Sequence, residues 1–126
     1  MKYFISGHRD LTLEEFNKYY TPVILEILEE DPTCEFVVGD YQGVDSMAQR
    51  LLENCVDRVT VYHMFDAPRN LINPNFKTIG GFTSDEERDA AMTKDSDRDI
   101  AFVRKGRRKS GTAQNIVRRY EFNFLS

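Results

Sequence analysis

The chain has 126 residues, a net charge of −4 at pH 7 and 30% charged residues, a composition typical of one globular domain spanning residues 1–126. No apolar run approaches the ~20 residues that cross a bilayer, and the N-terminal apolar stretch is too short for a signal peptide. We therefore predict a cytoplasmic protein without a membrane partner. Cys34 and Cys55 are isolated and lack CxxC spacing, so neither a disulfide framework nor a zinc site is expected. No cofactor is predicted.

The chain begins with a short apolar strand at residues 3–5, which ends in the polar turn Ser6-Gly7-His8-Arg9-Asp10. Thr12 and Glu15 have the spacing of a capping box, so a helix is predicted from about Leu13 to Glu30. Pro22 interrupts this helical pattern. It either kinks the helix or, with Thr21 as the cap, starts a second one.

A second strand is predicted at residues 35–38, and a Gly-containing turn follows it: Gly39-Asp40-Tyr41-Gln42-Gly43-Val44-Asp45. The next helix keeps an apolar face from Val44 to Cys55. A third strand at residues 59–62 then ends near His63 and Asp66.

Residues 67–83 are rich in Pro, Asn and Gly, and they predict a loop that is long for so small a domain. Ser84 and Glu87 again have capping-box spacing, so a helix that contains Arg88 and Met92 should begin there.

The last stretch combines a fourth strand at residues 100–103 with a basic loop, a small polar turn and a helix. Residues 104–119 hold seven of the 17 Lys+Arg and none of the 21 Asp+Glu, so this stretch carries +7 and the remainder −11. The loop cations are Arg104, Lys105, Arg107, Arg108 and Lys109. A charge run is often only a solvated surface.

The turn Ser110-Gly111-Thr112 precedes a helix with Ala113, Ile116, Val117 and Tyr120 on one face. A helix N-terminus offers unpaired N–H groups and about half a positive charge, and hydroxyls can donate to phosphate oxygens. We therefore predict a phosphate-binding turn here. The apolar residues 122–125 predict a short last strand or a packed tail, possible at a subunit contact.

Short apolar strands alternating with amphipathic helices predict an α/β fold with a mostly parallel sheet covered on both faces. With right-handed crossovers the expected strand order is 3-2-1-4. Ligands bind such folds beyond the carboxyl ends of the strands, at the switch point between strands 1 and 4. The turns at Gly7, Gly39 and Gly111 should lie on that edge, as should His63 and Asp66.

Four motifs resemble the SLOG superfamily of Rossmann-like proteins, whose fold is a three-layer α/β/α sandwich. They are ISGHRD after strand 1, GDYQGVDSMAQ after strand 2, ERDAAM before strand 4, and DRDIAFV followed by SGTAQNI. The pattern is most similar to the small YspA/YpsA-like branch, which is related to LOG-type phosphoribohydrolases and DprA-type DNA-processing proteins. The resemblance covers nearly the whole chain, and it implies a nucleotide-like ligand and a homodimer or larger homo-oligomer.

Two positions depart from the family pattern. Asp40 stands where the family usually has Gly, so a carboxylate lies near the expected phosphate unless it binds a metal, a ribose hydroxyl or a neighbouring Arg. Asn115 occupies the position of the catalytic Glu of LOG-type enzymes. The Arg that is paired with this Glu in those enzymes is present as Arg88, and Met92 completes the same R-x-x-x-M motif. Asn cannot carry a proton, so the resemblance implies binding more strongly than hydrolysis.

The sequence thus predicts a nucleotide-binding module or sensor, with the phosphate on Ser110–Thr112, Arg9 and Arg88 as counter-charges, and Asp45 or Asp40 on a ribose hydroxyl. The predicted ligand-binding residues are Ser6, Gly7, His8, Arg9, Gly39, Gly43, Val44, Asp45, Arg88, Met92, Ser110, Gly111 and Thr112. One alternative is a nucleoside 5′-monophosphate N-glycosidase using Arg88 with Asp40, Asp45 or Asp66. The other is a DprA-like single-strand binder, which the absence of aromatic residues from 104–110 disfavours.

Overall fold

Five parallel strands form a single sheet in the order β4-β3-β2-β1-β5 in a computed structural model that describes residues 1–107 and 109–125, Leu125 by its backbone alone. The strands are β1 (Lys2–Ser6), β2 (Glu35–Gly39), β3 (Val59–Met64), β4 (Lys77–Phe82) and β5 (Arg98–Ala101). The helices are α1 (Leu13–Tyr19), α2 (Thr21–Glu30), α3 (Val44–Glu53), α4 (Asp85–Lys94) and α5 (Gly111–Leu125). Arg108 of the predicted basic loop lies outside the described residues.

Helices cover both faces of the sheet, which makes the fold a Rossmann-like three-layer α/β/α sandwich. Successive residues of a strand point to opposite faces. Ile5 of β1 therefore packs in the larger core with Phe16, Ile24 and Leu52 from α1, α2 and α3. Its neighbour Phe4 packs in a smaller core on the opposite face, with Val37, Tyr62 and Met92 of α4. α5 packs beside α4 and along β5. No helix in the described part of the chain is long and apolar enough to cross a membrane.

The predicted order of the four apolar strands is confirmed, but a fifth strand was missed. β4 lies inside residues 67–83, which the sequence predicted as loop, and it pairs in parallel with β3 at the edge of the sheet. An edge strand is paired on one side only and is largely exposed here, so its sequence, Lys-Thr-Ile-Gly-Gly-Phe, lacks the apolar run of a buried strand.

Three further boundaries differ from the prediction. The segment predicted as a strand or packed tail at 122–125 is the end of α5, because the helix continues without a break from Gly111. Pro22 does start a second helix, but Tyr20 occupies the cap position and Thr21 is the first helical residue. The last strand ends at Ala101 rather than at Val103, because the Phe102 amide leaves the ladder and donates to the Tyr20 hydroxyl at 2.9 Å.

Tyr20 fixes the spacing between the carboxyl ends of β1 and β5. Its hydroxyl is buried, donates to the Ser6 carbonyl at 2.8 Å and accepts the Phe102 amide. Burial raises the pKa of Tyr20 to about 12, so the hydroxyl keeps the proton that it donates. One side chain from the end of α1 therefore holds together the two strands between which a ligand is expected to bind.

Replacing Tyr20 with Phe should lower the free energy of unfolding by at least about 2 kcal/mol, since it leaves a buried carbonyl and a buried amide without partners. Urea unfolding followed by circular dichroism would measure the change. Tyr19→Phe is the matched control, because the Tyr19 ring stacks on Phe102 and its hydroxyl bonds to no described residue. We expect that control to stay within about 0.5 kcal/mol of wild type. Equal effects of the two substitutions would contradict the bridging role.

Candidate functional site

A cleft of about 540 Å³ lies beyond the carboxyl ends of β1 and β5. This is the topological switch point, because the helix after β1 covers one face of the sheet and the helix after β5 packs with α4 on the other. Its walls come from the turns after β1 and β2, from α4, and from the loop that leads into α5. The lining residues are Phe4, Ser6–Arg9, Tyr41, Gln42, Asp45, Asp85, Arg88, Asp89, Met92, Gly106, Arg107, Lys109–Thr112 and Asn115.

The cleft brings together ten of the fourteen residues that the sequence singled out for binding or catalysis. They are Ser6, Gly7, His8, Arg9, Asp45, Arg88, Met92, Ser110, Gly111 and Thr112. The other four, Gly39, Asp40, Gly43 and Val44, lie behind the cleft wall and do not line it. His63 and Asp66 do not line it either, because His63 is buried against Gly80 and Asp66 is exposed elsewhere.

Packing explains the two glycines of the β2 turn. Gly43 has φ +76°, and a Cβ there would stand 2.4 Å from the Arg9 carbonyl oxygen. A Cβ on Gly39 would stand 2.5 Å from Asp45 Oδ2. These glycines therefore let the turn after β2 close against the turn after β1 and against its own helix, which shapes the cleft from behind.

The start of α5 forms one end of the cleft. Ser110 caps the helix, since its Oγ accepts the Ala113 amide at 3.1 Å. The amides of Gly111 and Thr112 and the Thr112 hydroxyl make no hydrogen bond with any described residue. A Cβ on Gly111 would meet nothing within 4 Å. The first turn of this 15-residue helix thus places donors without partners among the described residues in the wall of the cleft.

Much of the basic loop is already neutralised within the chain. Arg104 contacts Glu15 at 2.5 Å and Asp10 at 3.1 Å, and Arg107 contacts Asp10 at 2.7 Å. The Arg104 amide donates to His8 Nε2 at 2.9 Å, and burial lowers the pKa of His8, so this imidazole is a neutral acceptor. Among the described cations of the loop, Lys109 lines the cleft without a carboxylate partner.

Arg88 lies in the floor of the cleft, where carboxylates surround it. Its Nη1 contacts Asp40 at 2.9 Å and Asp85 at 3.2 Å, and its Nη2 contacts Asp89 at 3.0 Å. Only 7% of the Arg88 side chain is exposed, and none of Asp40. Removing one partner of such a buried ion pair typically lowers the free energy of unfolding by about 3–5 kcal/mol. The ion pairs of Arg88 therefore stabilise the fold, whether or not a ligand is bound.

Asp40 is held in internal ion pairs with Arg69 and Arg88. Its Oδ2 accepts the Arg69 amide at 2.8 Å, and its Oδ1 accepts Arg69 Nη2 and Arg88 Nη1, each at 2.9 Å. Burial opposes its ionisation, but the hydrogen bonds from Arg69 outweigh burial and keep its pKa lowered. The sequence left a metal, a ribose hydroxyl or a neighbouring arginine open as the partner of Asp40, and the structure shows arginine partners, Arg69 and Arg88. The described residues contain no cluster of His, Cys, Asp or Glu that could hold a metal ion.

Asp45 has the opposite electrostatic environment. It is 8% exposed at the cleft floor, and its Oδ2 accepts the Tyr41 amide at 3.1 Å. Burial raises the pKa of Asp45 to about 7, and the nearby Arg88 charge offsets that effect only in part. A carboxyl group that is half protonated near neutral pH can both donate and accept a proton.

Asp89 and Asn115 join α4 to α5 under the same floor. Asn115 Nδ2 donates to Asp89 Oδ2 at 3.1 Å, while Asp89 Oδ1 accepts from Arg88. The Ser6 hydroxyl, also in the lining, is buried and without a partner in the part of the chain that the structure describes.

Nine lining residues were not among the predicted site residues: Phe4, Tyr41, Gln42, Asp85, Asp89, Gly106, Arg107, Lys109 and Asn115. Asp85 and Asp89 flank Arg88 in the motif DEERD, and Asp85 is one helical turn from Arg88, so charge spacing could have indicated them. Tyr41 and Gln42 lie between two turn glycines and give no comparable signal.

The raised pKa of Asp45 makes stability depend on pH in a definite direction. The unfolded carboxyl has a pKa of about 3.9 and the folded one about 7, so the native state binds the proton more tightly. The contribution of Asp45 to stability is therefore present below pH 4, is lost as the pH rises to about 7, and changes no further above that. The difference in unfolding free energy between wild type and Asp45→Asn should fall by up to about 4 kcal/mol across this window, at about 1.36 kcal/mol per unit.

Urea unfolding at several pH values from 4 to 8 would measure this difference. The exposed Asp66→Asn variant is the matched control for loss of a carboxylate, and its difference from wild type should stay nearly constant. A difference for Asp45→Asn that is equally flat would show that the Asp45 carboxyl is not perturbed by burial.

Comparison with known proteins does not assign this chain to a family. No family model matches it, and neither the curated proteins nor the solved structures contain a significant match. The resemblance to the SLOG superfamily therefore stays a prediction from four motifs.

Proposed function

We propose that the protein binds a nucleotide or nucleotide-derived ligand in this cleft, as a binding module or sensor of the SLOG type. The observation that carries the proposal is the start of α5, where two backbone amides and the Thr112 hydroxyl lack partners among the described residues. Unpaired donors at a helix N-terminus are suited to a phosphate, and Lys109 supplies a cation beside them. Arg88 does not act as the phosphate counter-charge in this proposal, because three carboxylates already hold it.

The floor of the cleft is acidic, whereas the start of α5 offers hydrogen-bond donors and a cation. This difference favours a ligand that has hydroxyl groups in addition to its phosphate. Asp45 and Asp89 line the cleft, and the buried Ser6 hydroxyl beside them has no partner among the described residues. Carboxylates repel a second phosphate but accept hydrogen bonds from hydroxyls. A sugar with free hydroxyls, such as a ribose, satisfies these groups.

The rim formed by Tyr41 and Gln42 supports a planar base as the third part of the ligand. The Arg69 guanidinium lies 4.5 Å from the centroid of the Tyr41 ring, and Arg9 Nη1 donates to the Tyr41 hydroxyl at 3.3 Å. The ring is therefore held in place, and Gln42 adds an amide that can donate and accept. The cleft volume of about 540 Å³ lies within the range of about 300–1,000 Å³ for small-molecule sites.

Replacing Thr112 with Val should weaken binding of the ligand about 10- to 100-fold, because a hydrogen bond to a charged group contributes about 1.5–3 kcal/mol. A thermal-shift screen with AMP, CMP, ADP-ribose, NAD, cyclic nucleotides and a short oligonucleotide would identify the ligand, and calorimetry would measure its affinity. Thr93→Val is the matched control, since Thr93 is equally buried, its hydroxyl has no partner among the described residues, and it lies outside the cleft.

We expect the control to bind as wild type does. Equal affinity of Thr112→Val and wild type would overturn the placement of the phosphate. A salt-sensitive shift with the oligonucleotide alone would favour a nucleic-acid binder instead. The pairing of Arg104 and Arg107 with carboxylates disfavours that outcome, because it leaves fewer free cations for a phosphate backbone.

A second candidate function is hydrolysis of the N-glycosidic bond of a nucleoside 5′-monophosphate, and the raised pKa of Asp45 favours it. Water would attack the C1′ carbon as the bond to the base breaks, Asp45 would give its proton to the departing base, and the proton released by the attacking water would return Asp45 to its protonated form. The products would be ribose 5-phosphate and the free base. Asp40 cannot take this role, because it is fully buried and both its oxygens hold arginines.

If the protein is such a hydrolase, Asp45→Asn should lose base release by at least about 100-fold while still binding the nucleotide, in line with the usual contribution of a general acid. Chromatography of the nucleotide before and after incubation would detect the base. Wild-type activity should decline above about pH 7, as Asp45 loses its proton. Binding without base release in wild type would leave the binding module as the function, and undiminished release by the variant would remove Asp45 from the mechanism.

A further inference from the structure

A second groove lies at the opposite end of the sheet from the cleft. It has a volume of about 760 Å³ and runs between the end of α2, the end of α3 and the turn that leads into β3. Pro32 and Asp57 line it, and they stand shortly before β2 and β3 in the chain. The groove therefore lies beyond the amino ends of the strands, whereas the cleft lies beyond their carboxyl ends and shares no lining residue with it.

Part of the groove lining is apolar. Leu25 and Leu28 of α2 and Val56 after α3 contribute aliphatic side chains, and Leu25 is 46% exposed. An exposed aliphatic side chain in a concave surface gains free energy when a partner covers it. The groove therefore offers an apolar contact to whatever binds there.

The rest of the lining is acidic and is not neutralised within the chain. The cation in it, Arg58, donates from Nε to the Cys34 carbonyl at 2.9 Å and from Nη2 to the Pro32 carbonyl, so it bonds to backbone rather than to a carboxylate. With three carboxylates and this one guanidinium, the described lining carries −2. The carboxylates are exposed and form no ion pair with a described residue: Glu29, Glu53 and Asp57.

The end of α2 adds unpaired acceptors to the groove. The carbonyl end of a helix carries about half a negative charge, which a cation in the last turn would stabilise, but the last turn of α2 contains glutamates and no basic residue. The carbonyls of Leu28 and Glu29 accept no hydrogen bond from any described residue. Pro32 has no N–H to offer them, and the Thr33 amide donates to Asp31 Oδ1 at 3.2 Å. Negative groups thus adjoin a negative helix end, an arrangement that a bound cation would stabilise.

We propose that this groove binds a basic segment of another protein, whose apolar side chains contact Leu25, Leu28 and Val56 while its Lys or Arg side chains meet the carboxylates. Ammonium and guanidinium groups supply the donors that the exposed carboxylates and the α2 carbonyls lack. Because the groove and the cleft lie at opposite ends of the sheet, the segment can bind whether or not the cleft is occupied.

The charge of the groove disfavours other occupants. The same groove of a second copy, an anionic bilayer and a nucleic acid are all negative, so each is repelled. The basic loop of a second copy is a weaker candidate than a free basic segment, because Arg104 and Arg107 already pair with Glu15 and Asp10 in their own chain.

Fluorescence anisotropy with a labelled peptide of Leu and Lys in a helical pattern would test the proposal on the protein without added nucleotide. We expect the peptide to bind wild type. The double variant Glu29→Lys/Glu53→Lys should bind it at least about 10-fold more weakly, because two carboxylates become cations. The matched control is Glu14→Lys/Glu86→Lys, which makes the same charge change at exposed positions outside the groove and should bind as wild type does.

Thermal unfolding provides a second readout, because the proposal requires carboxylates that the fold itself does not need. Glu29→Lys places a cation at the carbonyl end of α2 and should raise the Tm by about 2–6 °C while weakening peptide binding. Glu14→Lys places a cation in the first turn of α1 and should lower the Tm while leaving peptide binding unchanged.

Failure of wild type to bind the peptide would overturn the proposal, and so would equal weakening by the control pair, which would indicate attraction by net charge alone. Equally tight binding of a peptide of Ser and Lys would contradict the apolar contact. Sedimentation equilibrium covers the remaining occupant: a wild-type dimer that dissociates in Glu29→Lys/Glu53→Lys would assign the groove to a second copy. None of these results depends on whether the cleft binds a nucleotide.

Discussion

The buried guanidinium of Arg88 and the carboxylates around it are the constraint on which the candidate site depends. An unpaired charge buried beneath a sheet edge would be costly, so Arg88 requires Asp40 behind it and Asp89 beside it. Asp40 in turn holds Arg69 of the loop after β3, and Asp89 holds Asn115 of α5. The ends of β2, α4 and α5 are thereby joined by one network before any ligand is present.

This network lies on one side of the cleft, and Tyr20 lies on the other. Tyr20 binds the ends of β1 and β5 together, and Gly43 brings the turn after β2 against Arg9. The hydrogen bonds of Tyr20 and the close approach of Gly43 to Arg9 are short-range contacts, so packing sets the opening between β1 and β5. A preformed cleft loses less conformational entropy on binding than a mobile one, which supports a role as a specific binding module.

The sequence predicted the parts of this structure that arise from local patterns. Apolar runs and Gly turns predicted the strands β1, β2, β3 and β5, their order, and about half of the cleft lining, because parallel strands place their turns on a common edge. β4 was missed because an edge strand such as residues 77–82 needs no apolar run. The orientation of α5 could not be predicted, because periodicity locates the apolar face of a helix but not what that face packs against; Ile116, Val117 and Tyr120 are exposed. Arg119, which points that face outward, is indistinguishable in sequence from the exposed cations near it.

The hydrogen bond from Asn115 to Asp89 explains why an amide suits position 115. The LOG-type pattern would place a Glu at 115, and here that carboxylate would face Asp89 Oδ2, which now accepts a hydrogen bond from the Asn115 amide. Two carboxylates at hydrogen-bonding distance cannot both ionise, and burial already raises the pKa of Asp89. A neutral donor at 115 therefore accompanies a carboxylate at 89. The carboxylates of the cleft belong to α3 (Asp45) and to α4 (Asp85 and Asp89), while the first turn of α5, where we propose that a phosphate binds, has no acidic residue.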